Sequence, residues 1–267
     1  MHKLLFKLSS LTITAVLIGV FSGGVAFAAK PAPAPSTPTG NDISWPQCGK
    51  VLPKNQAFGI VGVNNGLANN TNPCFATELA WAQRSTGGTG QDAVALYVNT
   101  ANPGPASASW PTSNVYGGVD VVNPYGTCDG ADISACAYMY GYAKAYDDVN
   151  IRGVANPSSY RWWLDVETVN SWETNKAANA ADLEGMTAYF QSISARVGIY
   201  STGYQWGVIA GTVSPTSNLN NLKSWIPGAS NLTAAKNNCR LAPLTAGSPV
   251  ILTQYVASNL DYDYSCI

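Results

Sequence analysis

Histidine is nearly missing from this 267-residue chain: His2 is its only copy. Because His2 lies in a leader-like segment, the rest of the chain has no imidazole. That excludes Ser-His-Asp and Cys-His nucleophilic mechanisms and the H-E-x-x-H metal motif. Charge is also scarce, at 11% of residues against roughly 25% in ordinary globular chains. No Lys/Arg run is present to follow a phosphate backbone, so nucleic acid is not an expected partner. No C-x-x-C pair occurs, and without histidine a zinc site has no usual ligand set; neither metal nor cofactor is expected. No internal repeat of solenoid or propeller length is visible.

What remains is informative. His2, Lys3 and Lys7 precede an apolar run from Leu11 to Val20, and Ala26-Phe27-Ala28 offers an A-x-A cleavage site. Residues 1–28 therefore read as a secretory signal peptide, too short for a comfortable span. An uncleaved anchor is the competing reading. The Pro/Ala-rich stretch 29–40 reads as an extended linker, and 41–267 as one domain. Losing the leader removes two lysines and leaves 12 basic against 15 acidic residues, a net charge of −3. Six cysteines, Cys48, Cys74, Cys128, Cys136, Cys239 and Cys266, suit an oxidising, extracellular setting. Sequence alone does not choose among the pairings, though nearest-neighbour closure suggests Cys48–Cys74, Cys128–Cys136 and Cys239–Cys266. A secreted, cell-wall-associated monomer with no membrane attachment after cleavage is the expectation.

Short apolar runs alternate with helix-like segments. Strands are predicted at Asp42–Trp45, Phe58–Val63, Ala93–Asn99, Arg161–Glu167, Val197–Ser201, Leu222–Ile226 and Val250–Tyr255. Helices are predicted at Phe75–Arg84, Asp132–Asp148, Ala178–Ser194 and Tyr204–Ala210. The unit Arg161–Glu167, helix, Val197–Ser201 is a βαβ crossover, which implies parallel strands and an α/β fold. Sites in such sheets gather at the C-terminal ends of strands. There the chain places Asp165 and Glu167, two carboxylates one residue apart on one strand face. Like charges so close oppose joint ionisation, and paired carboxylates are the usual equipment for cleaving glycosidic bonds.

Four segments then line up in order. They are Asn41-Asp42-Ile43-Ser44, Leu164-Asp165-Val166-Glu167, Ile199-Tyr200-Ser201, and Thr253-Gln254-Tyr255 followed by Leu260-Asp261-Tyr262-Asp263. In this the chain resembles the family 25 glycoside hydrolases, the muramidase-type lysozymes, as a divergent secreted branch. Those enzymes carry a G-[IV]-D-[VI]-S-x-[WHY] first strand, an L-D-x-E strand, an I-Y-[ST] strand and a W-Q-Y strand followed by V-D-x-[DN]. The resemblance implies an irregular, TIM-like (β/α) barrel with a reduced helix count. It also implies catalytic roles for Glu167 as acid, Asp165 as electrostatic partner and Asp42 on the acidic floor. Tyr200, Asp261, Gln254 and Trp45 would contact substrate. The departures are Thr253 where the family has Trp, and altered ends of the second and third strands at Val63-Asn64-Asn65 and Tyr97-Val98-Asn99.

The expected function is hydrolysis of β-1,4 links in peptidoglycan or a related amino-sugar polymer by carboxylate acid/base catalysis. The rival is a catalytically silent, glycan-binding module on the same barrel. For individual residues plainer readings compete: Asp261 and Asp263 as a turn before Cys266, Tyr200 as a core tyrosine, and most tryptophans as core.

Overall fold

The computed structural model of the protein describes residues 38–267, so the expected signal peptide and most of the expected linker lie outside the described residues. Along the chain come β1 (Thr39–Ile43), β2 (Gly59–Gly62), α1 (Phe75–Ala82), β3 (Val94–Asn99), β4 (Val115–Tyr116) and β5 (Val119–Asp120). They are followed by α2 (Ser134–Asn150), β6 (Arg161–Asp165), α3 (Lys176–Ser192), β7 (Arg196–Tyr200) and α4 (Gly203–Ile209). The last elements are β8 (Lys223–Ala229), α5 (Leu232–Asn238), β9 (Val250–Ala257) and β10 (Leu260–Ser265). Eight strands close a barrel in the order β1-β10-β9-β8-β7-β6-β3-β2, and β4 with β5 forms a separate hairpin. Neighbours are parallel throughout, except that β10 runs antiparallel to both β1 and β9. This is the irregular (β/α) barrel with a reduced helix count.

Strand β6 shows why the barrel holds. Its side chains alternate between the two faces of the wall. Trp162 points outward and stacks on Phe190 of α3, with ring centroids 4.6 Å apart. Trp163 points inward and meets Trp225 of β8 edge-on at 5.6 Å. Gly198 of β7 makes room for it, since a Cβ there would lie 2.3 Å from the Trp163 ring. The barrel interior is thus filled by Phe58, Ile60, Trp163, Trp225 and Leu252. A second core, with Leu164, Leu183, Met186 and Ile199, lies between wall and helices.

Helices α2 and α3 pack with almost no side chain between them. A Cβ on Gly141 would stand 1.9 Å from the Asp182 carbonyl oxygen, and one on Gly185 would stand 1.9 Å from that of Tyr138. The cysteines pair as Cys48–Cys74, Cys128–Cys136 and Cys239–Cys266.

The hairpin β4–β5 and helix α5 have no counterpart in the sequence reading, and three expected segments differ. Thr39 and Gly40, expected at the end of the linker, belong to β1 and pair with Tyr264 and Asp263; Gly40 suits that place because Phe58 fills the space of its absent side chain. The strand expected to reach Glu167 ends at Asp165. Asp261 and Asp263 form no turn: they lie in β10, whose alternating acids and tyrosines close the barrel. An inward face made of acids does not look like a strand by hydrophobic pattern.

Replacing Gly141 or Gly185 by alanine should cost about 3 kcal/mol, the upper range for overpacking. Gly207→Ala on α4, where nothing lies within 4 Å of the new Cβ, should stabilise by up to about 1 kcal/mol. Urea midpoints measure all three, and a neutral Gly141→Ala would contradict the backbone-to-backbone contact.

Candidate active site

The register of the parallel strands builds the site. Asn99, Asp165, Tyr200 and Trp225 are successive Cα partners across β3, β6, β7 and β8, so their side chains form one layer facing the barrel axis. Asp42 of β1 is paired with Asp261 of β10. At the mouth is a cavity of about 180 Å³ lined by Asp42, Tyr97, Asp165, Glu167, Tyr200, Trp225, Gln254 and Asp261. Six of the seven expected site residues meet here. Trp45 does not line this cavity; it is 44% exposed on the turn after β1, beside Gly66. A larger flank groove of about 920 Å³ runs along α3 and α4, and its carboxylate, Glu184, accepts from Tyr125 at 2.7 Å.

Each acid has a defined support. Asp165 is 7% exposed, and its Oδ2 accepts from Asn99 Nδ2 at 2.8 Å while its Oδ1 is buried without a hydrogen bond of good geometry. Asn99 is itself held, because its N–H donates to Asn64 Oδ1 at 2.8 Å. Asn64 Nδ2 in turn donates to Asp148 at 2.9 Å, and Asp148 is ion-paired to Arg152 at 3.2 Å. On the other side, the Tyr200 hydroxyl donates to Gln254 Oε1 at 3.0 Å and Gln254 Nε2 donates to Asp42 Oδ2 at 2.8 Å.

Glu167 sits just past the strand, half-buried, in a segment pinned through its backbone. Val166 N–H donates to Tyr200 O at 2.9 Å, and the Glu167 carbonyl accepts from the Trp172 indole at 2.8 Å and the Asn170 N–H at 3.1 Å. Asp263 lies fully buried beneath Asp42, both oxygens without a hydrogen bond of good geometry.

No lysine or arginine lines the cavity. Every carboxyl in the group therefore holds its proton more tightly than usual. Burial pushes Asp42 up to about 7, helped by the charge of Asp261 and opposed by Gln254. Burial, then Glu167, then Asp42 raise Asp165 well above the carboxylate range. Glu167 is raised by burial, against a hydrogen bond from Gln205. Burial raises Asp261, and burial together with Asp42 raises Asp263. Among the described residues the only group arranged to hold a metal ion is Cys48, Cys74 and Glu78, whose sulfurs are already joined. The arrangement suits proton donation by one carboxyl beside others that meet positive charge.

Tyr97, Asn99, Trp225, Gln205 and Asp263 complete the site beyond the residues expected from sequence. Tyr97 and Asn99 carried a usable signal, since their i, i+2 spacing at the end of the third strand matches that of Asp165 and Glu167.

Carboxyls that bind protons more tightly folded than unfolded make stability fall as pH rises. For Asp42 that window runs from about 4, its unfolded value, to about 7. The melting temperature should accordingly be higher at pH 5 than at pH 8, and Asp42→Asn should flatten the slope. An unchanged slope in Asp42→Asn would show that the group titrates normally.

A family model described as lysozyme-like protein 1 (Lys-1) matches residues 140–234. A curated relative, the probable GH family 25 lysozyme 4 of Dictyostelium discoideum, is 39% identical over 49 residues, which is 18% of this chain. That match spans 22% of the relative's own length. Among solved structures, a muramidase from Trichobolus zukalii aligns with a TM-score of 0.54 at 17% identity, over 85% of this chain and 93% of its own. A family GH25 lysozyme from Aspergillus fumigatus aligns at 0.53 and 11% identity, over 87% and 95%. The chain is thus similar in its barrel fold to solved muramidases and a family GH25 lysozyme, and over residues 140–234 to the lysozyme-like family model.

Proposed function

We propose that the protein is a secreted glycoside hydrolase that cleaves β-1,4 links of peptidoglycan or a related amino-sugar polymer. The observation that carries this reading is the division between two adjacent carboxyls. Asp165 is locked in the wall of the barrel, while its neighbour Glu167 opens on the cavity. Similarity to proteins named lysozyme and muramidase supports the same chemistry. Three disulfides suit an oxidising compartment, and no helix among the described residues is long and apolar enough to cross a membrane.

In this mechanism Glu167 delivers a proton to the glycosidic oxygen as the bond to the anomeric carbon breaks. Positive charge then develops on the sugar ring beside Asp165; burial and Glu167 oppose its anion in the resting site, while Asn99 and the developing cation favour it. Water adds to the anomeric carbon and returns a proton to the carboxyl pair, which restores the starting state. Tyr97, Tyr200 and Trp225 wall the cavity and keep it dry enough for these charges to interact strongly. At about 180 Å³ it is smaller than the roughly 300–1,000 Å³ of sites that engulf a whole ligand. It would therefore take one unit of a polymer, with the rest running over the rim.

The test is release of reducing ends from purified cell wall by wild type, Glu167→Gln and Asp165→Asn. Glu167→Gln should lose at least about a hundredfold in rate, the scale of general acid catalysis. Undiminished hydrolysis by Glu167→Gln would remove the assignment. Wild type that binds the glycan without turnover would make the protein a binding module.

A further inference from the structure

Helix α4 opens with Thr202-Gly203-Tyr204-Gln205. This is the spacing of a capping box, in which the glutamine side chain turns back to the N–H of the capping residue. Half of that motif is present, since the Thr202 side chain accepts from the Gln205 N–H at 3.1 Å. The Gln205 side chain goes elsewhere. Its Oε1 accepts from the Thr168 N–H at 2.7 Å and from the Thr168 hydroxyl at 3.1 Å, bridging α4 to the segment after β6. A carbonyl engaged by two donors leaves the NH₂ as the free end of the amide. That end is left for the neighbouring Glu167 carboxyl, whose proton affinity Gln205 lowers. Turning the amide over would set N–H against N–H at Thr168, so the network fixes its orientation.

Resting on the hydrolase reading above, we propose that Gln205 is a positioning residue for Glu167, its carbonyl anchoring Thr168 and its amide holding the carboxyl beside Asp165. Glu167 lies beyond the last strand residue, where no ladder fixes its side chain. Its backbone is pinned by Trp172 and Asn170, and Gln205 supplies the tie on the carboxyl side. The amide donor also favours ionised Glu167 against the burial that opposes it. A proton donor that must later take a proton back needs both states within reach. Asn99 makes the equivalent contact to Asp165 at 2.8 Å, so each carboxyl of the pair has its own amide. Gln205 does not line the cavity and should leave substrate affinity alone.

Two variants test this role. Gln205→Met removes both the anchor and the donor; Gln205→Glu keeps an acceptor for Thr168 but replaces the amide donor with a carboxyl. The measurements are kcat and KM on solubilised cell-wall glycan across pH, the melting temperature, and a ¹³C NMR titration of the Glu167 carboxyl. In both variants kcat should fall about tenfold, the worth of a hydrogen bond to a charged group, with KM unchanged. The alkaline limb of activity and the Glu167 titration should both move to higher pH. A Glu167 titration that stays in place in a folded variant would overturn the proposal, as would a kcat equal to wild type. The titration needs no turnover, so it decides the role of Gln205 even if Glu167→Gln leaves hydrolysis intact and the hydrolase reading fails.

Discussion

Five carboxyls gather at one end of the barrel: Asp42, Asp165, Glu167 and Asp261 around a cavity that no basic side chain lines, and Asp263 buried beneath them. That concentration of like charge is the constraint on which the surrounding structure depends. Full ionisation there would oppose folding, because burial removes the water that would screen it. Protons retained by the buried acids and neutral amides aimed at the others reduce the cost. Asn99 serves Asp165, Gln205 serves Glu167 and Gln254 serves Asp42. An amide stabilises an anion without neutralising it, so the site keeps a negative field. An arginine in the same place would remove it. The basic residues of the two central strands stand at the opposite end of the wall, where Arg196 and Arg161 meet Asp92 at 2.7 and 3.6 Å.

The barrel geometry makes this gathering possible through its one irregular strand. A regular parallel barrel brings only strand ends to the mouth. Here β10 turns back between β9 and β1 and begins at the mouth. It contributes Asp261 at the level of Asp42 and Asp263 one step deeper. The same reversal lets Asn41 Nδ2 donate to the Asp261 carbonyl at 2.7 Å, sewing the first strand to the last. Closure of the fold and assembly of the acidic floor are therefore one event.

What the sequence made legible follows from physical pattern. Strand β6 was readable because its alternation is unambiguous and its acids fall at a strand end; the parallel α/β fold followed from the βαβ unit beside it, and the barrel from the resemblance carried by the four ordered segments. Strand β10 was not, since Leu260-Asp261-Tyr262-Asp263-Tyr264 hides its inward face behind acids, and acids flanking a cysteine suggest a turn. Helix α5 was missed because its seven residues, Leu232–Asn238, are too few to show a period. It exists by the Asn231 cap, which accepts from Ala234 N–H at 3.0 Å, and by the burial of Ala235. Asn64 and Gln205 were invisible as site residues for a different reason. Amides have no spacing rule of their own, and their role appears only when the register sets them beside an acid.

The difference between the two acids comes from where β6 ends. Had the strand run on through Glu167, ladder bonds and the barrel wall would hold both acids equally and bury both. Ending it at Asp165 makes them unequal. The inner acid is fixed by register, by Asn99 and by the Thr100 hydroxyl on its own carbonyl at 2.6 Å. The outer acid gains solvent access and a side chain free to follow a proton, within limits set by Trp172, Asn170 and the Gln205 bridge. A pair that must hold one proton between them and hand it outward needs this inequality. It is produced by where a strand stops, with no change in residue chemistry.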